Sequence, residues 1–309
     1  MRAAFVRTLT ELAAHDPRIL LLTGDMGYLA LEPFAEAHPG QFFNVGVAEQ
    51  NMVGLATGLA EAGFLPFVYS IVPFAVLRPY EFIRNGPIQH RQPVRIVGVG
   101  GGLEYGSNGL SHYGLEDIAV MRAQPGLTII APADAQQTRT AVAATWSLPG
   151  PVYYRLGKDD NAVVAGLEGR FELGKLQRLR AGSDLLMIAM GNIATEAAAA
   201  AEELASRGVA CTLVILASVS PAPLDELAGL LAQHPVALTV EGHYRVGGVG
   251  SLVSEVIAER DLRCHLVRCG VGSLPNGVTG SRRCLQQLYG LSAEKLVETA
   301  IAAIRRNKL

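Results

Sequence analysis

The sequence is poor in cysteine, and its four cysteines include no C-x-x-C pair. This spacing excludes a zinc-ribbon site and a disulfide framework, so we expect free thiols in a reducing compartment. Histidine is also sparse, and the seven histidines form no H-E-x-x-H or comparable metal-binding pattern. The G-x-S-x-G elbow of hydrolases and the Walker phosphate loop are absent as well. The residues therefore predict no metal ligands on this chain.

Neither sign of charge is in clear excess, because the formal net charge is only -2. Such a balance gives no electrostatic reason to expect nucleic acid or an anionic membrane as a partner. The longest apolar runs, ILLL and DLLMIAM, have the length of a strand and are too short to span a bilayer. Arg7 and polar residues interrupt the N-terminal stretch, which is therefore not typical of a signal peptide. We expect a soluble, cytoplasmic protein.

Short apolar runs alternate with amphipathic helical stretches, first over residues 1–165 and again over residues 183–309. The alternation predicts an α/β fold with two domains, each a largely parallel sheet covered on both faces. Residues 166–182 are rich in charge and glycine, which indicates a linker. Ligands of such sheets bind at the carboxyl ends of the strands. The segments Thr23–Asp25, Val45–Glu49, Val97–His112 and Tyr154–Lys158 end predicted strands and are expected to share one cleft.

Two residues in these segments are candidates for chemistry. Glu49 begins a helix directly after an apolar strand, in FFNVGVAEQNMVGLATGLAEAG. The helix dipole favours an anion there by roughly 0.3–1 kcal/mol, which would explain an isolated glutamate without any function. Its neighbours offer little to solvate a charge, so a ligand-binding role stays open beside that explanation. His112 follows a loop rich in glycine, serine and asparagine, although a lone histidine is more often structural.

The segment NVGVAEQNMVGLATGLAEAGFLPFVYS closely resembles the pyrimidine-binding domain of transketolases and related enzymes that use thiamine diphosphate. The similarity continues through FIRNGPI, GSNGLSHYGLEDIAVMRAQPGLTIIAPAD and GPVYYRLG. Further along, LLMIAMGNIATEA and VALTVEGHYRVGGVGS are similar to the transketolase C-terminal domain. The resemblance implies a doubly wound parallel-sheet pyrimidine-binding domain at 1–165 and a smaller α/β domain of the transketolase C-terminal type at 183–309.

The resemblance also implies roles for individual residues around the cofactor. Glu49 matches a catalytic glutamate that hydrogen-bonds the aminopyrimidine ring and so promotes loss of the proton on the thiazolium carbon. Phe74 matches the aromatic residue that packs on this ring, and Asp25 matches an acidic residue near the cofactor. His112 matches a catalytic histidine close to both cofactor and substrate.

Substrate contacts are implied in the same way. Arg155 and Arg2 match arginines that hold the sugar phosphate, a role suited to a bidentate guanidinium. Asn108 stands where the family has an aspartate that contacts the donor's hydroxyl group. Gly100 and Leu29 replace two further phosphate ligands, a histidine and a serine. These departures predict a changed donor or acceptor, such as a sulfonated, branched, unphosphorylated or carrier-bound sugar.

The resemblance extends to only about half of a full-length transketolase. The N-terminal diphosphate-binding domain, with its G-D-G motif and downstream asparagine, has no counterpart here beyond GDM at Gly24–Met26. The chain therefore resembles the C-terminal subunit of a split transketolase. The implied cofactors are thiamine diphosphate and Mg²⁺, with the Mg²⁺ ligands on a separate diphosphate-binding subunit. The implied assembly is an α2β2 heterotetramer, and the chain alone should be inactive.

Two other interpretations remain open at this stage. The β subunit of a 2-oxoacid dehydrogenase and the deoxyxylulose-phosphate synthases share the two-domain arrangement, and they would consume a 2-oxoacid in place of a ketose. A non-catalytic assembly or regulatory partner is the third interpretation. The presence of Glu49, Phe74 and His112 argues against it, because a scaffold needs no carboxylate at that point.

Overall fold

The fold is taken from a computed structural model, which describes residues 1–307. The strands of this part of the chain are β1 (Ile19–Thr23), β2 (Phe42–Asn44), β3 (Leu65–Ile71), β4 (Arg95–Val99), β5 (Thr128–Ile130), β6 (Val152–Leu156), β7 (Gln177–Arg180), β8 (Leu185–Met190), β9 (Cys211–Ile215), β10 (Ser218–Ser220), β11 (Val236–Tyr244) and β12 (His265–Val271).

Helices cover both sheets and connect most of the strands. They are α1 (Arg2–Ala13), α2 (Glu32–Ala37), α3 (Glu49–Glu61), α4 (Val72–Val76), α5 (Tyr80–Ile83), α6 (Asp117–Arg122), α7 (Ala135–Thr145), α8 (Ala194–Ser206), α9 (Leu224–Gln233), α10 (Val249–Glu259), α11 (Arg282–Leu288) and α12 (Ala293–Asn307). Short 3-10 turns and a π-helical turn at Arg84–Ile88 complete the connections. Within residues 1–307, no helix combines the length and hydropathy that crossing a membrane would require.

The first sheet has the strand order β10-β5-β6-β4-β3-β1-β2. Strands β1 to β6 run parallel to their neighbours, while β10 pairs antiparallel with β5 at one edge. The second sheet has the order β12-β11-β8-β9-β7, and its four parallel strands likewise end in one antiparallel edge strand, β7. The prediction of an α/β fold with largely parallel sheets is confirmed.

The edge strands differ from the sequence expectation. Strand β7 lies inside residues 166–182, which the sequence indicated as a linker, so the end of that segment belongs to the second sheet. Its residues, QRLR, show no apolar run because an edge strand needs only one hydrogen-bonded side and one buried face. Strand β10 follows β9 of the second sheet but pairs with β5 of the first. The chain therefore crosses back and ties the two units together.

The core is formed by strands that are buried along their whole length, such as β1, β3, β4 and β6. One face of the first sheet packs against α1 through Phe5 and Leu9. The other face packs against α3 through Met52 and Val53, in an apolar cluster that continues into the second unit. The two sheets are thus joined by shared apolar packing. This rigid support holds the loops at the carboxyl ends of the strands.

Candidate functional site

Glu49 occupies the first turn of α3, directly after the short connection from β2. Gly46 in this connection has φ +74°, a left-handed conformation that suits glycine and turns the chain sharply into the helix. The side chain of Glu49 is only 3% exposed, although Val47, two residues earlier in the chain, is 70% exposed. A carboxylate buried in apolar surroundings needs a charged or hydrogen-bonding partner. The fold therefore places a sheltered acid at the rim of the first sheet.

The partner of Glu49 is Arg78, which lies between α4 and α5. Arg78 Nη1 donates to Glu49 Oε1 at 2.7 Å, and its guanidinium carbon lies 3.8 Å from the centroid of the Phe74 ring. Phe74 in turn makes an edge contact with His112, with 5.1 Å between ring centroids and 68° between their planes. The structure thus brings Glu49, Phe74 and His112 into one continuous contact chain, with Arg78 as a link that the sequence analysis missed.

A cleft of about 360 Å³ opens beside His112 at the carboxyl ends of the strands. Segments that follow β1, β4 and β6 contribute to its wall, together with Arg2 at the start of α1. Its lining residues are Arg2, Met26, Gly27, Tyr28, Tyr69, Ile71, Val99, Tyr105, Asn108, His112 and Lys158. The cleft therefore contains three of the predicted site residues, Arg2, Asn108 and His112. It also contains Lys158, the last residue of the segment Tyr154–Lys158, for which the sequence predicted no individual role.

The electrostatics of the cleft combine two cations with uncharged aromatic walls. Lys158 Nζ lies 4.6 Å from the centroid of the Tyr105 ring, and Arg2 Nη2 is 3.9 Å from Asp160 Oδ2. Arg2 Nε is buried and has no hydrogen-bond partner among residues 1–307. Burial raises the pKa of the Tyr69 and Tyr105 phenols, which keeps them protonated at neutral pH. This arrangement suits an anionic ligand with a polar body.

His112 is biased toward its neutral form. Burial lowers the pKa of its imidazole below the ordinary value, and the positive charge of Arg78 lowers it further. Nδ1 of the ring lies 3.0 Å from Ser111 Oγ, so one ring nitrogen is engaged within the loop. A neutral imidazole at neutral pH can accept a proton and can also donate a hydrogen bond. His112 is therefore chemically suited to act on a hydroxyl or carbonyl group in the cleft.

Asp25 lies beside the Glu49 segment and does not line the cleft. Its φ of +58° is held by Asn44, whose side-chain amide donates to Asp25 Oδ1 at 3.1 Å. Asn44 Oδ1 also accepts hydrogen bonds from the backbone N–H groups of Asp25 and Gly46, each at 3.0 Å. Asp25 is exposed and thus remains open to a ligand that approaches from outside the chain.

Arg155, predicted to hold a sugar phosphate, is not brought to the cleft. Its guanidinium is 2% exposed and pairs with Asp117, with 2.7 Å between Arg155 Nε and Asp117 Oδ2. Arg155 Nη2 also donates to the carbonyl oxygens of Gly114 at 2.9 Å and Gly242 at 2.8 Å. Even a methyl group on Gly101 would lie 2.6 Å from the guanidinium carbon. The contacts assign Arg155 to the junction of the two sheets.

Among residues 1–307, no group of three or more histidine, cysteine, aspartate or glutamate side chains is arranged to hold a metal ion.

Two protein-family models match the chain over most of its length. The model "Transketolase, pyrimidine binding domain" matches residues 1–162, and "Transketolase, C-terminal domain" matches residues 174–296. Among curated relatives, a putative transketolase C-terminal section of Methanocaldococcus jannaschii is 36% identical and covers 99% of this chain and 96% of its own length. An apulose-4-phosphate transketolase subunit of Phocaeicola vulgatus is 34% identical, covering 99% and 97%. A 6-deoxy-6-sulfo-D-fructose transketolase subunit of a Clostridium species is 33% identical, covering 97% and 93%.

Solved structures give the same result for the fold. A split gene transketolase, described as an inactive beta4 tetramer, superposes with a TM-score of 0.87 at 34% identity and covers 98% of this chain and 97% of its own. Transketolase from Leishmania mexicana has a TM-score of 0.83 at 20% identity, with 99% of this chain matching 45% of that one. The fold and site define a transketolase-type α/β protein. The chain belongs to the transketolase family, and it is similar from end to end to the C-terminal subunits of split members.

Proposed function

We propose that the chain is the catalytic C-terminal subunit of a two-subunit transketolase that depends on thiamine diphosphate. Assembled with a separate diphosphate-binding subunit, it would transfer a two-carbon ketol unit from a ketose donor to an aldose acceptor. One observation carries the proposal: the sheltered carboxylate of Glu49 and the half-buried ring of Phe74 contact the same guanidinium, and Phe74 also contacts His112 in the wall of the polar cleft. Within residues 1–307, the half-exposed Arg78 is the one side chain that pairs with this acid.

The residues present fit the aminopyrimidine half of the cofactor. A planar group with N–H donors already lies between Glu49 and the Phe74 ring, namely the Arg78 guanidinium, so the space accepts a flat nitrogen-containing group. Thiamine diphosphate supplies an electron sink for the carbanion formed when the ketose is cleaved. Glu49 would share a proton with a ring nitrogen in a hydrogen bond, and Phe74 would stack on the ring. Water is excluded from Glu49 by its burial, which strengthens that hydrogen bond.

The cleft supports an anionic sugar as the substrate. Arg2 and Lys158 would hold a phosphate or sulfonate group at one end, and Asn108 would hydrogen-bond a sugar hydroxyl. His112, neutral at pH 7, would take up or return the proton of a hydroxyl group near the reacting carbon. Relatives at 34% and 33% identity are named for apulose 4-phosphate and 6-deoxy-6-sulfofructose, which agrees with a non-standard, charged sugar.

A partner subunit would complete the site. Apolar side chains remain exposed in the segments that carry Glu49 and Arg78, including Val47, Leu55, Leu77 and Phe82. The magnesium and the diphosphate would be held by the partner, in an α2β2 assembly inside the cytoplasm. The similar split transketolase described as an inactive tetramer of its β chains supports the expectation that this chain needs a partner.

A second candidate function has a specific observation in its favour. The 1-deoxy-D-xylulose-5-phosphate synthase of Syntrophotalea carbinolica is 33% identical over 98% of this chain. This chain covers only 47% of that synthase, so the relatives with matching length weigh more heavily. Donor choice separates the two functions, because a synthase would consume pyruvate and a transketolase would consume a ketose.

The test is a donor screen with the assembled enzyme. The chain is co-expressed with the candidate diphosphate-binding subunit and assayed for aldehyde release and ketol transfer, using phosphorylated ketoses, a sulfonated ketose, their neutral analogues and pyruvate. We expect transfer from a charged ketose by the pair, none by the chain alone, and a strong decrease in the pair that carries Glu49→Gln. Turnover of pyruvate only, or undiminished activity in the Glu49→Gln pair, would contradict the proposal.

A further inference from the structure

Arg78 contacts both Glu49 and Phe74, the two side chains that a flat ligand would contact at this position. One nitrogen of its guanidinium donates to Glu49 Oε1 at 2.7 Å, while its carbon lies 3.8 Å from the Phe74 ring centroid. The side chain of Arg78 is 42% exposed, whereas that of Glu49 is only 3% exposed. The buried acid is thus neutralised by a cation that reaches in from the surface.

The chemistry of a guanidinium makes this contact informative. A guanidinium is planar and delocalised, donates N–H groups to a carboxylate and stacks on an aromatic ring. An aminopyrimidine ring shares these properties: it is flat, presents nitrogen-bound hydrogens and stacks on aromatic faces. A ring that hydrogen-bonds Glu49 while lying on this face of Phe74 needs the volume that the guanidinium fills. The two groups therefore exclude one another.

We propose that Arg78 is a placeholder that occupies the aminopyrimidine position in the chain without cofactor and must swing outward before the cofactor is seated. The inference rests on the function proposed above. Arg78 keeps the Glu49 carboxylate paired and the Phe74 ring covered until the cofactor takes over both contacts. Glu49 then has a hydrogen-bond partner in either state, so its buried carboxyl group is not left unsatisfied.

The exposure of Arg78 makes the exchange feasible. Its guanidinium already contacts solvent, so the displaced group can be hydrated without opening the core. The Arg78 side of the ion pair and of the cation–π contact is exposed, and solvent weakens both, so Arg78 imposes only a modest barrier to cofactor binding. Arg78 also lowers the pKa of His112, so its departure removes positive charge from the neighbourhood of that histidine. The movement of Arg78 on cofactor binding would thus raise the pKa of His112.

The first arm of the test uses the chain alone and the aminopyrimidine half of thiamine, 4-amino-5-hydroxymethyl-2-methylpyrimidine. This probe is titrated into the wild-type chain, Arg78→Met and a matched control, Arg84→Met, which removes another exposed arginine six residues along the same segment. Binding is followed by thermal shift and by the NMR signals of His112. Tighter binding to Arg78→Met than to the wild type or to the control supports the placeholder role. Equal or weaker binding to Arg78→Met contradicts it.

The second arm measures thiamine diphosphate binding by calorimetry with the assembled two-subunit complex. Loss of one ion pair that is exposed only on its Arg78 side and of one cation–π contact predicts that Arg78→Met tightens the dissociation constant by about 3- to 30-fold. Arg78→Lys, which keeps the charge but not the planar stack, should fall between Arg78→Met and the wild type. Equal affinity in all three overturns the role of Arg78 while the proposed function stands. Absence of binding in every complex overturns the proposed function and this inference together.

Discussion

The buried ion pair between Arg155 and Asp117 gives the sharpest prediction about stability. Arg155 Nε lies 2.7 Å from Asp117 Oδ2, and Tyr153 Oη donates to the same carboxylate oxygen at 2.7 Å. Both charged side chains are almost fully buried, at 2% and 1% exposure. Replacing Arg155 with leucine leaves the Asp117 carboxylate in the core with the Tyr153 hydroxyl as its remaining side-chain donor within residues 1–307. Breaking a buried pair in this way costs about 3–5 kcal/mol of unfolding free energy.

Urea unfolding followed by tryptophan fluorescence measures this cost. The single tryptophan, Trp146, directly follows α7 in the first unit, so its emission reports the unfolding of that unit. With an m-value of about 1–3 kcal/mol/M, Arg155→Leu should lower the urea midpoint by at least about 1 M. The double variant with Asp117→Asn should recover part of the loss, because the unpaired charge is then removed.

A matched control and a competing outcome complete the experiment. Arg18→Leu breaks the exposed pair with Asp16 and should leave the midpoint nearly unchanged. The reasoning is refuted if Arg155→Leu unfolds at the wild-type midpoint but loses affinity for a phosphorylated sugar. That result would restore Arg155 to the substrate-binding role implied by the family resemblance.

The remaining predictions concern the cofactor contact and the cleft. Glu49→Gln in the assembled enzyme should reduce kcat at least about 100-fold, because proton transfer through a positioned carboxylate is lost, as steady-state kinetics can check. Lys158→Met and Arg2→Met should each raise KM for a charged sugar about 10- to 100-fold but leave a neutral analogue unaffected; an equal effect on both sugars would contradict the assignment. NMR titration should place the pKa of His112 below 6.5, because of burial and then Arg78, and Arg78→Met should raise it. Since the unfolded chain binds this proton more readily, the stability from His112 is present above about pH 6.5 and is lost as the pH falls through the folded-state pKa.

The fold could be predicted largely from sequence because its central strands are continuous apolar runs. Strands β1 and β3 are of this kind, because every residue in them is buried. The antiparallel edge strands β7 and β10 were missed. They are only four and three residues long and partly polar, so they carry no periodic signal of their own. Strand β7 pairs with β9 of its own sheet and β10 pairs with β5 of the other sheet, and local pattern encodes neither of these distant pairings.

Glu49 and His112 were expected near one cleft because each follows a strand, and the structure links them through Arg78 and Phe74. The direction of Arg155 could have been inferred from strand alternation, which places it on the same face as Tyr153. Its partner Asp117 lies 38 positions away, and no local signal links the two. Arg78 was missed for the same reason, because it reaches Glu49 across 29 positions of chain. Long-range ion pairs of this kind become visible only in three dimensions.

The central claim is that this chain forms half of a cofactor site, which calorimetric titration of thiamine diphosphate and Mg²⁺ tests most directly. Three samples are compared: the chain alone, the chain with its diphosphate-binding subunit, and the same pair carrying Glu49→Gln. The account predicts tight binding in both pairs, no tight binding in the isolated chain, and ketose cleavage only in the wild-type pair. Tight binding of the whole cofactor by the isolated chain, or full turnover by the Glu49→Gln pair, would contradict it.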